Sequence, residues 1–157
     1  MYHMDKHVVK MILESAQLLS TAHRVLGGYK DENGRYQIEG SKNEVFYKAT
    51  HANHPSAVWV RQSDQNYIWL TTLFMSLLTE YTHRYGKHHK CGNDVLVDAL
   101  SRAPLNIARG PFTEPTQAMP DEYKDPNSSV TAYRAYYMGP KRHMAAWKKR
   151  TTPHWFK

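Results

Sequence analysis

Apolar residues recur at helical spacing along most of this chain, and the pattern is clearest near its start. Over His3 to Leu26, HMDKHVVKMILESAQLLSTAHRVL, a turn of about 100° per residue gathers Met4, Val8, Met11, Ile12, Ala16, Leu18, Leu19, Ala22 and Leu26 on one broad face. Val9 and Leu13 widen that face. The remaining stripe is narrow and polar: His3, Lys6, His7, Lys10, Glu14, Gln17, Thr21 and Arg24. A helix apolar over so much of its circumference is buried on most sides, so the stripe is expected to face a strip of solvent or a cleft. Gly27-Gly28 predicts the stop, through a glycine in the left-handed conformation.

The segments that follow are shorter. Asn33-Gly34, between Tyr29–Lys30 and Arg35–Ile38, predicts a small hairpin in a polar excursion. Pro55 forces His54 out of helical geometry, and a short helix is expected over Ser56 to Arg61. Ser63 or Asp64 caps a second long helix, on which Tyr67, Leu70, Phe74, Leu77, Leu78, Tyr81 and Tyr85 recur at helical spacing before Gly86 ends it. This helix is expected to be the main packing partner of the first. A third is predicted from about Asn93 to Arg102, stopped before Pro104. Pro104, Pro111, Pro115, Pro120 and Pro126 then mark a long loop with little periodicity, and loops of that length within compact domains are often functional. Ser128 or Ser129 caps a final helix, SSVTAYRAYYM, interrupted at Gly139-Pro140 and expected to resume over KRHMAAWKK. The chain therefore predicts a mainly α, compact single-domain helical fold over residues 1–157, with a small polar hairpin or loop insertion, a long Pro-rich loop and a basic aromatic C-terminal segment at 128–157.

Composition narrows the class. Hydrophobic residues at 41% and charged residues at 22% are ordinary for a soluble globular chain. Mean hydropathy is −0.71, and no apolar run approaches the length that crosses a bilayer, so no membrane association is expected. His and Asp stand where a signal peptide needs an apolar core, and the lone Cys91 allows no intrachain disulfide. Both predict an intracellular, cytoplasmic protein. Charge says more: 21 Lys and Arg against 14 Asp and Glu give +7 before any of the 10 histidines is protonated. Such an excess attracts polyanions, and DNA or RNA is the commonest intracellular one. It is also uneven. PKRHMAAWKKRTTPHWFK, from Pro140 to Lys157, holds six cations and no acid.

Two constellations carry candidate chemistry. On the first helix, Glu14 lies one turn beyond Lys10 and two beyond His7, with Lys6 on the same stripe. A carboxylate, amines and an imidazole aligned on one strip could form an active site, and the structural alternative is a solvated face with a Lys10–Glu14 pair worth ~0.2–0.5 kcal/mol. In the C-terminal segment, Tyr133, Arg134, Tyr136, Tyr137, Lys141, Arg142, Trp147, Lys148, Lys149 and Arg150 interleave cations with rings. Bases stack on aromatic faces and cations hold phosphates, which is what handling unpaired or flipped bases requires. The alternative is that Tyr133, Tyr137 and Trp147 are core residues of the last helices. His51, His54, His83, His88 and His89 match no regular zinc spacing, so neither a metal site nor a cofactor is expected. Phosphate-cradling GxxxxGKS, GxGxxG and the GxSxG elbow are all missing from the sequence.

DKHVVKMILESAQLLSTAHRVL, HANHPSAVW, NYIWL, AYRAYYMGPK and the terminal W-K-x-R-x-x-P-x-W-F together resemble a group of small phage-encoded proteins, over nearly the whole chain. More remotely, Asp5–His7 followed by Glu14 is similar to the first long helix of phage pyrimidine-dimer DNA glycosylases of the endonuclease V type, and Tyr133–Gly139 to their C-terminal aromatic segment. That likeness implies a compact helical domain acting in the cytoplasm of a phage-infected bacterium, with Glu14 as the central catalytic carboxylate and His7 lining the same site. The family's nucleophile is an α-amine near the N-terminus, on a segment preceding this helix. Here Tyr2 disfavours removal of Met1, so either the recorded start is late and a nucleophile-bearing segment is absent, or the chemistry differs, with Lys10 or Lys6 as substitute amines. The family's arginines beside the glutamate are replaced by Leu13 and Gln17. The implied function is a DNA glycosylase/AP-lyase-like enzyme acting on damaged or modified pyrimidines. The alternatives are a non-catalytic DNA-binding phage accessory protein and a transferase that modifies nucleobases of phage DNA.

Overall fold

Two long helices carry the fold of this mainly helical protein. A computed structural model describes residues 2–157. In these residues six α-helices and one antiparallel hairpin follow in the order α1 (Asp5–Gly27), β1 (Tyr29–Lys30), β2 (Tyr36–Gln37), α2 (Lys42–Val45), α3 (Pro55–Gln62), α4 (Asp64–Tyr85), α5 (Asp94–Leu100) and α6 (Ser129–Met138). Helices α1 and α4 form the most extensive contact, and α3 packs against both. Val8, Ile12, Ala16 and Leu19 of α1 meet Trp59 and Val60 of α3, Phe74 and Leu77 of α4, and Leu96 and Leu100 of α5 in one core. No described helix is long and apolar enough to cross a membrane.

Helix ends follow local chemistry. Ser63, Asn93 and Ser128 each accept a backbone N–H at the start of α4, α5 and α6, and His54 does the same through Nδ1 before Pro55. Helix α4 ends at Gly86, with φ +68, a left-handed conformation that glycine adopts at least cost. The stop of α1 differs from expectation. Gly27 remains helical, and Gly28 is extended with φ −113 rather than left-handed. Glycine is required there for space: a Cβ would lie 2.0 Å from the Gln37 carbonyl oxygen and 2.5 Å from that of Arg24. The hairpin itself turns over Asp31–Gly34, with Gly34 at φ +72 and the Asp31 carboxylate accepting the Asn33 and Arg35 N–H groups.

The polar stripe of α1 also divides. Lys6 and Lys10 face solvent and His3, His7 and Glu14 are half-buried, but Thr21 and Arg24 are buried beneath the segment after the hairpin. The Arg24 guanidinium donates to the carbonyls of Tyr36, Asn43, Phe46 and Tyr47 and to Asn43 Oδ1, while Thr21 and Ser20 accept the N–H groups of Thr50 and Tyr47. One arginine thus fastens the chain from Tyr36 to Tyr47 onto α1. The Pro-rich stretch is equally tied down. Asp64 N–H donates to Ala108 O, Ser63 Oγ to Pro111 O, and Asn66 exchanges hydrogen bonds with Thr113. Glu114 then accepts the Ser129 N–H at the start of α6.

After Met138 the expected helix over KRHMAAWKK does not form. A single 3-10 turn at Arg142–Met144 gives way to extended chain, whose backbone groups are used across the molecule instead. Ala146 O accepts from Asp5 N–H, and Lys148 N–H donates to both carboxylate oxygens of Asp5, at 2.9 and 3.0 Å. The C-terminal segment therefore closes over the first turn of α1.

Candidate nucleic-acid interface

That closure brings the two sequence-derived constellations together. Met4 at the start of α1, Tyr137 of α6 and Trp147 form a small second core, flanked by Met144, Trp155 and Phe156. Trp147 Nε1 donates to Tyr2 O at 3.0 Å. His7 Nδ1 lies 2.6 Å from the Tyr137 hydroxyl, so the strip of α1 and the aromatic segment of α6 join at one hydrogen bond. Arg134 lies over the rings of Tyr2 and Trp155, at 5.7 and 5.3 Å from their centres.

A buried ionic network holds this end of the molecule. Arg84, fully buried on α4, donates to Glu80 at 2.8 Å and to Asp5 at 2.8 Å. Arg150 reaches the same Glu80 through Nε and Nη2, at 3.0 and 2.9 Å. Burial pushes the Glu80 carboxyl up, but hydrogen bonds from Arg150 and Arg84 and their charges reverse this and hold it at about 2. Two guanidinium groups and two carboxylates thus tie α1, α4 and the C-terminal segment together. His3 is half-buried beside them and pushed down to about 4, first by desolvation and then by its electrostatic coupling to His7 and Arg84.

The candidate residues divide into those the fold consumes and those it leaves free. Trp147 and Tyr137 are core residues, and burial raises the Tyr137 hydroxyl far above its ordinary range. Tyr133 sits at the surface but donates to Thr116 O, which anchors the Pro-rich stretch. Arg150 is the clamp on Glu80. Tyr136 is half-buried against Tyr123, with Lys141 over its ring at 5.3 Å. Lys148 lies over Tyr85, and Arg142 lies over Phe156. Lys149 takes a positive φ of 56°, with its carbonyl 3.3 Å from the His83 ring. Lys6 and Lys10 are exposed on α1, where Lys10 pairs with Glu14, and the charge of Lys141 reaches His7 on the same strip.

On the α1 strip, Glu14 is 40% exposed and pairs with Lys10 at 3.2 Å. It stands on open helix surface and makes no contact with His7's hydrogen bond to Tyr137. Burial lowers the His7 imidazole, and the charges of Lys141 and Lys10 lower it further against a smaller opposing pull from Glu14. His7 is therefore neutral at neutral pH. Its Nδ1 either donates to the Tyr137 oxygen or accepts a hydrogen bond from the Tyr137 hydroxyl, according to the tautomer.

Asp5, Glu80 and Arg84 were not singled out from the sequence. Only spacing signals them: Glu80 and Arg84 stand four residues apart, the offset of a helical ion pair. Two of the remaining histidines serve as caps: His54 and His89 accept the N–H groups of Ser56 and Cys91 through Nδ1. Among the described residues no three His, Cys, Asp or Glu side chains converge as a metal-ligand group. Comparison with family models, with curated proteins and with solved structures finds no match to this chain.

Proposed function

We propose that this protein binds DNA through the face made by the first half of α1 and the C-terminal segment. One observation carries the reading. From residue 128 to 157 the chain has no acid, and among its described cations only Arg150 holds a carboxylate. Lys141, Lys148 and Lys149 keep their charge for an external anion, and phosphates are spaced to take several at once, whereas Arg142 donates to Lys157 O. Rings beneath these cations position them without neutralising them. Tyr136 is the aromatic side chain best placed beside them to meet a base, since Tyr137 and Trp147 are enclosed.

Anisotropy titration of a labelled duplex between 50 and 200 mM salt tests the reading. Each phosphate neutralised contributes about 0.9 to the log–log slope. Replacing Lys141, Lys148 and Lys149 together by alanine is expected to lower that slope by about 2 to 3 without altering sequence preference. Arg150 is left in place because its loss would loosen the Glu80 clamp. An unchanged slope moves the DNA face elsewhere, and the Lys87–Lys90 turn is the next candidate.

A second reading, glycosylase/lyase chemistry, draws on the His7–Tyr137 hydrogen bond, which places the His7, Lys10 and Glu14 strip beside the C-terminal segment. In that chemistry an amine of Lys10 or Lys6 captures C1′ as the base departs with the glycosidic electron pair, and Glu14 stabilises the positive charge that builds on the sugar. Borohydride would trap the resulting Schiff base. A covalent adduct on an abasic-site or thymine-dimer duplex, lost on Lys10→Ala or Lys6→Ala, is the expected result. No adduct and no strand cleavage retires this chemistry and leaves the binding proposal intact.

A further inference from the structure

Helix α4 has its polarity inverted. Its charged residues Glu80 and Arg84 are buried, and Asp64 is engaged at its N-terminus by the Gly110 N–H. Its exposed positions are Gln65, Ile68, Trp69, Thr72, Met75, Ser76, Thr79 and His83, a continuous helical stripe without a Lys, Arg, Asp or Glu. In a chain with 22% charged residues, an outer helix face ordinarily carries several. Ile68 is 48%, Trp69 40% and Met75 41% exposed, and Phe112 extends the patch at 42%, its ring 5.8 Å from that of Trp69.

We infer that this stripe is the contact surface between two copies of the chain. Four features of the stripe favour a second copy over a charged partner. It offers no Lys or Arg for a phosphate or an acidic peptide to pair with, while the +7 charge of each chain is carried elsewhere. Its exposed threonines are already satisfied, Thr72 Oγ1 donating to Ile68 O and Thr79 Oγ1 to Met75 O, so covering them strands no hydroxyl. Large and small side chains alternate in a self-complementary order. A two-fold axis passing beside Met75 runs the helices antiparallel, sets Trp69 against the partner's Thr79 and Thr72 against the partner's Ser76, and brings the two methionines together.

The fourth feature is area. Taking ~200 Å² for a large side chain, the exposed fractions of Ile68, Trp69, Met75 and Phe112 leave about 350 Å² of apolar surface per copy. With the intervening polar side chains and both copies counted, about 1,000 Å² is covered, the lower end for a specific interface. The expected association is accordingly micromolar, not obligate.

Sedimentation of the full chain between 1 and 100 µM tests this, with position read by disulfide trapping. Cys91 is buried, so it gives no background. Met75→Cys is expected to form a disulfide-linked dimer on mild oxidation, whereas Val95→Cys, at a 64% exposed position on α5, is not. Ser76→Arg sets like charges beside the axis and is expected to raise the dimer Kd at least tenfold with an unchanged melting temperature. If Ser76→Arg also unfolds the protein, the Met75→Cys trap decides alone. A chain that stays monomeric at 100 µM overturns the proposal. So does a dimer trapped through Val95→Cys and not Met75→Cys, or a monomer whose stripe instead partitions onto lipid vesicles.

Discussion

Replacing Glu80 by glutamine probes what holds the C-terminal segment in place. In the wild type, this carboxylate accepts from Arg84 and Arg150, and its pKa falls from an ordinary 4.5 to about 2. A depressed carboxylate contributes stability that is fully present above about pH 4.5 and lost as pH falls through 2. At about 1.4 kcal/mol per pH unit, that contribution is on the order of 3 kcal/mol. The same figure follows from breaking a buried pair, because Arg84 would keep only Asp5 as a counter-charge, and its Nη2 has no protein partner already. With an unfolding entropy of about 2.1 cal/mol/K per residue, 3 kcal/mol lowers the melting temperature of a chain of this length by about 9 °C. Thermal melts followed by circular dichroism at pH 7 and pH 2 measure it. The variant is expected to melt well below wild type at pH 7. The gap should narrow toward pH 2, where Glu80 is itself protonating. A loss under about 3 °C at pH 7, or a gap that persists unchanged in acid, refutes the clamp.

Acid should act earlier through the histidines. His23, buried between Phe46 and Tyr67, is pushed down to about 4 chiefly by desolvation, as is His3. A neutral buried histidine contributes stability that is complete above about pH 6.5 and declines as pH falls toward 4, so the unfolding free energy from urea titrations should drop across that window, by about 2–3 kcal/mol for His23. A flat profile from pH 7 to 4 contradicts this. Gly28→Ala should lower stability by about 1–3 kcal/mol through its clash with the Gln37 and Arg24 carbonyls, whereas Gly27→Ala, with open space around its Cβ, should be neutral or slightly stabilising. Equal melting temperatures for the two variants would remove the steric account of Gly28.

Where a segment's own periodicity decided its structure, the fold was legible. Tyr67, Leu70, Phe74 and Leu77 share the buried face of α4, and Ser63 and Gly86 bound it as their chemistry requires. Long-range competition for backbone groups was not legible. KRHMAAWKK has a helical composition, yet Ala146 and Lys148 give their backbone groups to Asp5, over 140 positions away in sequence. Gly28 was read as a conformational stop because nothing local says that the Gln37 backbone passes within 2.0 Å of where its Cβ would stand.

The candidate site shows the same division between charge content and charge use. Counting residues located the cationic segment, since an acid-free run stays acid-free however it folds. Counting did not say which cations were available. Arg24 and Arg150 look alike on paper, two arginines in polar surroundings, but one is buried against four carbonyl oxygens and the other closes a clamp on Glu80. Neither is free for a phosphate. The lysines are left for that role because an ammonium on a flexible stem keeps its hydration, whereas the planar guanidinium loses less in satisfying several fixed acceptors at once. In this chain arginine builds the frame at Arg24, Arg84 and Arg150. Lys141, Lys148 and Lys149 supply the charge at the surface, so substituting lysines should change DNA affinity, and substituting those arginines should change stability first.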